Sequence, residues 1–154
     1  IADGNNMANS LIVGFLKMGA HVSIACPKAY QPDAQVLSFT EQYPGKFFMT
    51  ESPEEAAKDA DVIFTDVWAS MGQEEEKAVR EKAFRGYQIN AELLAKAHLG
   101  CMVQHCLPAH RGEEITADVF ESHADQIFAE AGGRCRLHAQ KAVMVAVMAD
   151  KKDW

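Results

Sequence analysis

The sequence predicts an α/β fold, a doubly wound, mainly parallel sheet with helices on both faces. Three observations predict it. Short apolar runs alternate with segments of helical period along the chain, in the order βαβαβαβαβα. One run, Asp61-Val62-Ile63-Phe64-Thr65-Asp66, is apolar inside and bounded by aspartates, as expected of a parallel strand buried on both faces. Helix-start signals stand between the runs, clearest at Ser52-Pro53-Glu54-Glu55, which combines a cap, a first-turn proline and acids that match the helix dipole.

Taken in order, Ile1-Ala2-Asp3 reads as the tail of a strand, and Gly4 punctuates the turn after it. Asn5 or Asn6 caps a helix whose apolar positions Leu11, Ile12, Phe15 and Leu16 recur at helical spacing, with Gly19 as its C-cap. His21 to Cys26 is strand-like; Pro27 and Pro32 interrupt the chain before a short helix over Ala34 to Gln42. Lys46 to Met49 forms a third strand, Glu54 to Lys58 a short helix, and Asp61 to Asp66 the fourth strand. Val67 to Gln73 lacks periodicity and reads as a loop, followed by helices over Glu74 to Phe84 and Ala91 to Ala97. Cys101 to His105 is the fifth strand, Asp118 to Ser122 a short helix, Gln126-Ile127-Phe128 a short strand, and a long terminal helix runs from Leu137. The arrangement is Rossmann-like.

Composition narrows the function. At 154 residues the chain is one domain, able to bury about two-thirds of its unfolded surface. Its 48% apolar and 24% charged fractions are those of a soluble globular protein, and the longest apolar run, Ala142 to Ala149, is too short to span a bilayer. A net charge of −7 without a basic stripe argues against nucleic acid as a partner. Four cysteines, without CxxC pairs or a signal peptide, point to the cytoplasm. The chain begins at Ile1 part-way into a strand and reads as a piece of something longer.

In such a fold the ligand crevice lies at the carboxyl ends of the strands. Three motifs fall there: Asp3 to Met7, Asp66 to Gly72, and His105 to Gly112, the last carrying Cys106, two imidazoles and a guanidinium. Each has a plain structural explanation alone. Asn5 and Asn6 suit helix caps, Asp66 and Ser70 suit caps and turns, Trp68 and Met71 suit packing, and a free Cys106 is most often a buried small hydrophobe. Convergence on one edge favours a site. Gly4 stands without a GxGxxG cradle and Cys26 holds the place of the ribose-binding acid, so a dinucleotide site is weakly supported and no cofactor is expected. Cys106, His105 and His110 lack the four-ligand spacing of structural zinc, so no metal is expected.

Asp3 to Met7 (DGNNM), Asp66 to Glu76 (DVWASMGQEEE), His105 to Glu114 (HCLPAHRGEE) and Arg136 to Met144 (RLHAQKAVM) resemble the signature stretches of the ornithine carbamoyltransferases over nearly the whole chain. The resemblance implies that residues 1–154 are the ornithine-binding domain of an enzyme that joins carbamoyl phosphate to the δ-amine of L-ornithine, giving citrulline and phosphate. By that resemblance Asn6, with Asn5 beside it, holds ornithine's α-carboxylate or amino group, Asp66 binds its ammonium, and Ser70 with Met71 closes over its amino-acid end. Cys106 and the Leu107 carbonyl stand beside the reacting centre, and Arg136 reaches the carbamoyl phosphate. Asp66 and Cys106 are thus the catalytic candidates. The resemblance also implies a cytoplasmic homotrimer.

Two departures stand out. Where the family usually has Glu-Asn-Arg before Leu-His-Ala-Gln, this chain has Gly132-Gly133-Arg134-Cys135-Arg136, so either Arg134 or Arg136 fits the arginine position. Nothing resembles the family's STRTR or HPxQ motifs, so the carbamoyl-phosphate-binding N-terminal domain is expected to be absent from this chain. The alternative from another class is a non-catalytic amino-acid-binding module or truncated paralogue. A nicotinamide-dependent enzyme rests on fold analogy alone.

Overall fold

A computed structural model describes residues 1–69 and 74–148. Four parallel strands, β1 (Val22–Ala25), β2 (Phe47–Thr50), β3 (Val62–Thr65) and β4 (Met102–His105), pair as β1 with β2 and β3 with β4. Residues 1 and 2 lie between the pairs. Ala2 N–H donates to the Ala25 carbonyl at 3.2 Å, the Ile1 nitrogen to the Phe64 carbonyl at 2.8 Å, and Thr65 Oγ1 to the Ile1 carbonyl at 3.0 Å. The resulting order is β2, β1, residues 1–2, β3, β4, consistent with the doubly wound, mainly parallel sheet that the sequence predicts.

Helices fill the connections: α1 (Asn6–Lys17), α2 (Ala34–Thr40), α3 (Pro53–Ala57), α4 (Lys77–Ala83), α5 (Ala91–Leu94), α6 (Ala117–Ser122) and α7 (Arg136–Met148). The strand order grows one way from residues 1–2 through β1 to β2, then reverses to β3 and β4. Right-handed crossovers therefore place α1 and α2 on one face and α3 on the other. The reversal makes residues 1–5 the topological switch point, where α/β sheets open a crevice.

Local chemistry sets the helix starts. Asn5 Oδ1 accepts from the Met7 and Ala8 N–H groups, Ser52 Oγ from Glu55, Asn90 Oδ1 from Leu93 and Thr116 Oγ1 from Val119. Gly19, at φ +85°, ends α1. The larger core joins Ile63 and Val103 of the second strand pair to Ile89, Leu93, Ile115, Phe120 and Ile127. A smaller one stacks Trp68, Phe84 and Tyr87 over Ala25 and Ala56. No helix among the described residues is long and apolar enough to cross a membrane.

Some predicted elements differ in kind or in extent, and the helix predicted over Ala91 to Ala97 ends at Leu94. Gln126-Ile127-Phe128 is not a strand but lies in a π-helical segment, Asp125–Cys135. The edge position that a fifth ladder would take is occupied by a side chain: Gln126 Oε1 accepts from Val103 N–H at 2.9 Å, and Gln104 Nε2 donates to the Gln126 carbonyl at 3.3 Å. Ile127 N–H bonds to the His123 carbonyl, and its side chain is still fully buried in the core. The helix over Glu74 to Phe84 is likewise split, beginning as a 3₁₀ turn at Glu74–Glu76 before α4.

Gly4 matters because the turn it makes is tight. Its N–H donates to the Tyr30 carbonyl at 2.8 Å, and a Cβ there would collide with the backbone of Gln31 and Pro32. Gly14, in the exposed middle of α1, has open space around it. The two glycines therefore predict opposite outcomes in urea denaturation. Gly4→Ala should lower stability by about 1–3 kcal/mol, as overpacking does, whereas Gly14→Ala should raise it by about 0.5–1 kcal/mol.

Candidate functional site

The register of β3 and β4 builds the site. Thr65 pairs with His105, the last residue of each strand, so Asp66 and Cys106 leave the sheet side by side. The turn after residues 1–2 brings Asp3 and Asn5 to the same edge. All four line one cavity of about 600 Å³.

Asp66 is half-buried. Its Oδ1 accepts from Val67 N–H at 2.9 Å, and its Oδ2 from Asn5 Nδ2 at 3.2 Å. Asn5 thus serves twice, its oxygen capping α1 and its amide nitrogen meeting the carboxylate. Asn5 therefore caps α1 and lines the cavity as well.

Burial pushes the Cys106 thiol up to about 11, and the Asp66 charge pushes in the same direction. At neutral pH that leaves roughly one molecule in ten thousand as thiolate. Cys106 is therefore a neutral thiol beside a carboxylate, suited to hydrogen bonding and not to taking a proton. Leu107 follows in the left-handed region at φ +57°, an uncommon conformation for a branched side chain.

What holds that backbone is His105. Leu107 N–H donates to His105 Nδ1 at 2.8 Å, so Nδ1 is unprotonated and Nε2 carries the hydrogen toward Glu114 Oε1 at 3.0 Å. Glu114 Oε1 also accepts from His110 N–H at 2.6 Å. Both His105 and Glu114 side chains are 0% exposed. The pair ties the loop's start to its end, which explains the imidazole at position 105 without chemistry on substrate. His110, Glu113 and Glu114 offer possible ligand atoms within 4.8 Å of one another. Lys77 Nζ already lies 3.2 Å from Glu113, and Glu114 Oε1 is engaged by His105 and by the His110 N–H, so both carboxylates have partners within the protein.

Behind the cavity stands Arg80, 4% exposed, which the sequence reading did not single out. It ion-pairs with Asp3, its Nε donates to the Trp68 carbonyl at 2.6 Å, and its guanidinium lies over the rings of Tyr30 at 4.7 Å and Phe84 at 5.6 Å. Burial raises the Asp3 carboxyl above its ordinary range, against the pull of Arg80. Position 80 sits in Lys77-Ala78-Val79-Arg80-Glu81-Lys82, which reads as a charged surface helix, so only the tertiary contacts reveal it.

The other expected residues fall differently. Asn6 is exposed on the first turn of α1 and does not line the cavity. Ser70 and Met71 lie outside the described residues. Arg136 starts α7 as an exposed residue and is not among the residues that line the cavity, and Arg134 is exposed too.

The signature stretches and their convergence match a known domain. The family model described as "Aspartate/ornithine carbamoyltransferase, Asp/Orn binding domain" fits residues 1–147. The chain belongs to the aspartate/ornithine carbamoyltransferase family. It is 50% identical over 149 residues to the ornithine carbamoyltransferase of Geobacter sulfurreducens, covering 96% of this chain and 48% of that protein. The solved ornithine carbamoyltransferase of Pyrococcus furiosus superposes with a TM-score of 0.84 at 48% identity, over 96% of this chain and 48% of that one. The anabolic enzyme of Campylobacter jejuni gives 0.81 at 37% identity, over 90% and 50%. This member of the family therefore spans about half the length of the curated relatives it matches.

The thiol's environment gives a measurable consequence for this carbamoyltransferase-family domain. Alkylation of Cys106 by iodoacetamide, followed by peptide mass spectrometry, should be slow at pH 7 and rise roughly tenfold per pH unit toward about 11. Asp66→Asn removes a charge that disfavours the thiolate and should move the profile to lower pH. A profile centred near the ordinary thiol value would contradict the buried environment.

Proposed function

We propose that this chain is the ornithine-binding half of an ornithine carbamoyltransferase, which transfers the carbamoyl group of carbamoyl phosphate to the δ-amine of L-ornithine. The observation that carries the reading is the joint cavity of Asn5, Asp66 and Cys106 at the switch point of the sheet, in a chain similar to proteins that bear that name. A carboxylate and an amide in one cavity suit a substrate that carries ammonium groups. Asn6, Ser70 and Met71 complete the amino-acid end of the pocket in this proposal. Leu107 and Arg136 face carbamoyl phosphate.

In the reaction the δ-nitrogen attacks the carbamoyl carbon, the C–N bond forms, the bond from that carbon to the phosphate oxygen breaks, and phosphate leaves. The attacking amine must shed a proton. In this proposal Asp66 receives it or holds the ammonium beforehand, a reading supported by the raised Cys106 thiol, which stays protonated at neutral pH. Cys106 then orients the reacting groups through its sulfur and S–H. No cofactor or metal enters this chemistry.

The phosphate half of the site belongs to a second domain, the part of the relatives' length that this chain does not span. A reaction between two bound reactants needs both held together, so the 154-residue chain by itself should not turn over. The whole protein is proposed as a cytoplasmic homotrimer; four free cysteines suit a reducing compartment, and the trimer follows from the resemblance.

Calorimetry on the purified chain should detect L-ornithine binding, and Asp66→Ala should weaken it at least about 30-fold with the circular dichroism spectrum kept, the cost of stripping a charged partner from a buried pair. Unchanged binding would sink the assignment of Asp66. Citrulline assays on the same chain should read no turnover. In the two-domain protein, Cys106→Ser should lower kcat with little change in the KM for ornithine.

A further inference from the structure

We propose that Arg80 is a positioning residue for the ornithine site: it ties the turn that carries Asn5 to the loop that carries Asp66 and so fixes the span between them. The inference rests on the ornithine reading above. The two segments are cross-linked twice. In the cavity, Asn5 Nδ2 meets Asp66 Oδ2 at 3.2 Å. Two residues along on each side, Asp3 and the Trp68 carbonyl meet through one guanidinium.

The two links differ in what ligand binding does to them. An ammonium that takes up Asp66 competes directly with the Asn5 amide, so the cavity link is the one that exchanges. In the Arg80 link the guanidinium is 4% exposed and does not line the cavity, and only its partner Asp3, 12% exposed, reaches the cavity wall. It holds the segments at their separation while the first link changes partner.

Arginine suits this task by shape. Its planar fork presents donors in fixed directions, Nε to Trp68 and Nη2 to Asp3, with Nη1 3.7 Å from Glu76. Tyr30 and Phe84, whose ring centroids are 4.9 Å apart, pack together against one side of the guanidinium and restrict its movement. A lysine would keep one charge beside Asp3 but would lose the second direction. Burying such a group is a poor way to gain stability, since apolar replacements of buried ion pairs are often neutral or better. Fixing the relation of two loops is what the pair does that a packed apolar side chain would not.

The test uses the 154-residue chain, L-ornithine as titrant, and calorimetry corrected for the folded fraction. Arg80→Gln should weaken ornithine binding at least tenfold in the folded protein, and Arg80→Lys should weaken it three- to tenfold, a partial rescue that a purely structural role would not give. Where Arg80→Gln fails to fold, Arg80→Lys decides alone. Amide exchange at Asn5 and Trp68, measured without ligand, should speed up in both variants. Wild-type binding with both variants within twofold of it overturns the Arg80 assignment and leaves the ornithine reading standing. Absence of wild-type binding overturns the ornithine reading and the assignment with it.

Discussion

The parallel register of β3 and β4 is the constraint on which the site depends. Thr65 opposite His105 means that the chain leaves both strands at the same level, and the next residue on each is the one that carries the candidate chemistry. Side chains in strands alternate in direction, so a slip of one residue would turn Asp66 or Cys106 to the other face. The register is held by burial of Ile63 and Val103 in one core, where the slipped alternative would present neighbours of different shape.

Much of this architecture is legible in the chain because it is written in local signals. Asn5 and Ser52 cap helices at starts that the sequence predicts, and the Asp61–Asp66 run marks its strand by composition alone. The convergence of Asp3–Met7, Asp66 and Cys106 on one edge follows from the strand order and needs no side-chain geometry. Gln126–Phe128 was less tractable: three residues with two apolar ones fit either period, and what decides them is a side-chain amide sealing the β4 edge, which has no periodic signature.

Arg80 and Glu114 show the other limit. Both are charged residues in stretches rich in charge, and such residues are usually solvated, so a sequence reading assigns them to the surface. Their burial depends on partners far along the chain for Arg80, at Asp3, and on a loop that folds back for Glu114, at His105. The resemblance to the carbamoyltransferases located the functional stretches, while the division of labour within them came from the contacts. His105 and Glu114 shape the loop and Cys106 lines the cavity, although all three belong to one short stretch of sequence.

The protonated state of Cys106 also bears on the durability of the site. Peroxides attack thiolates far faster than thiols, and access limits them further. A sulfur kept neutral by burial and by a neighbouring carboxylate is thus slow to be oxidised, even though it stands in a cavity open to small molecules. Cys135, exposed at the end of the π-helical segment, has no such shelter. Peroxide should therefore oxidise the exposed Cys135 before it reaches Cys106.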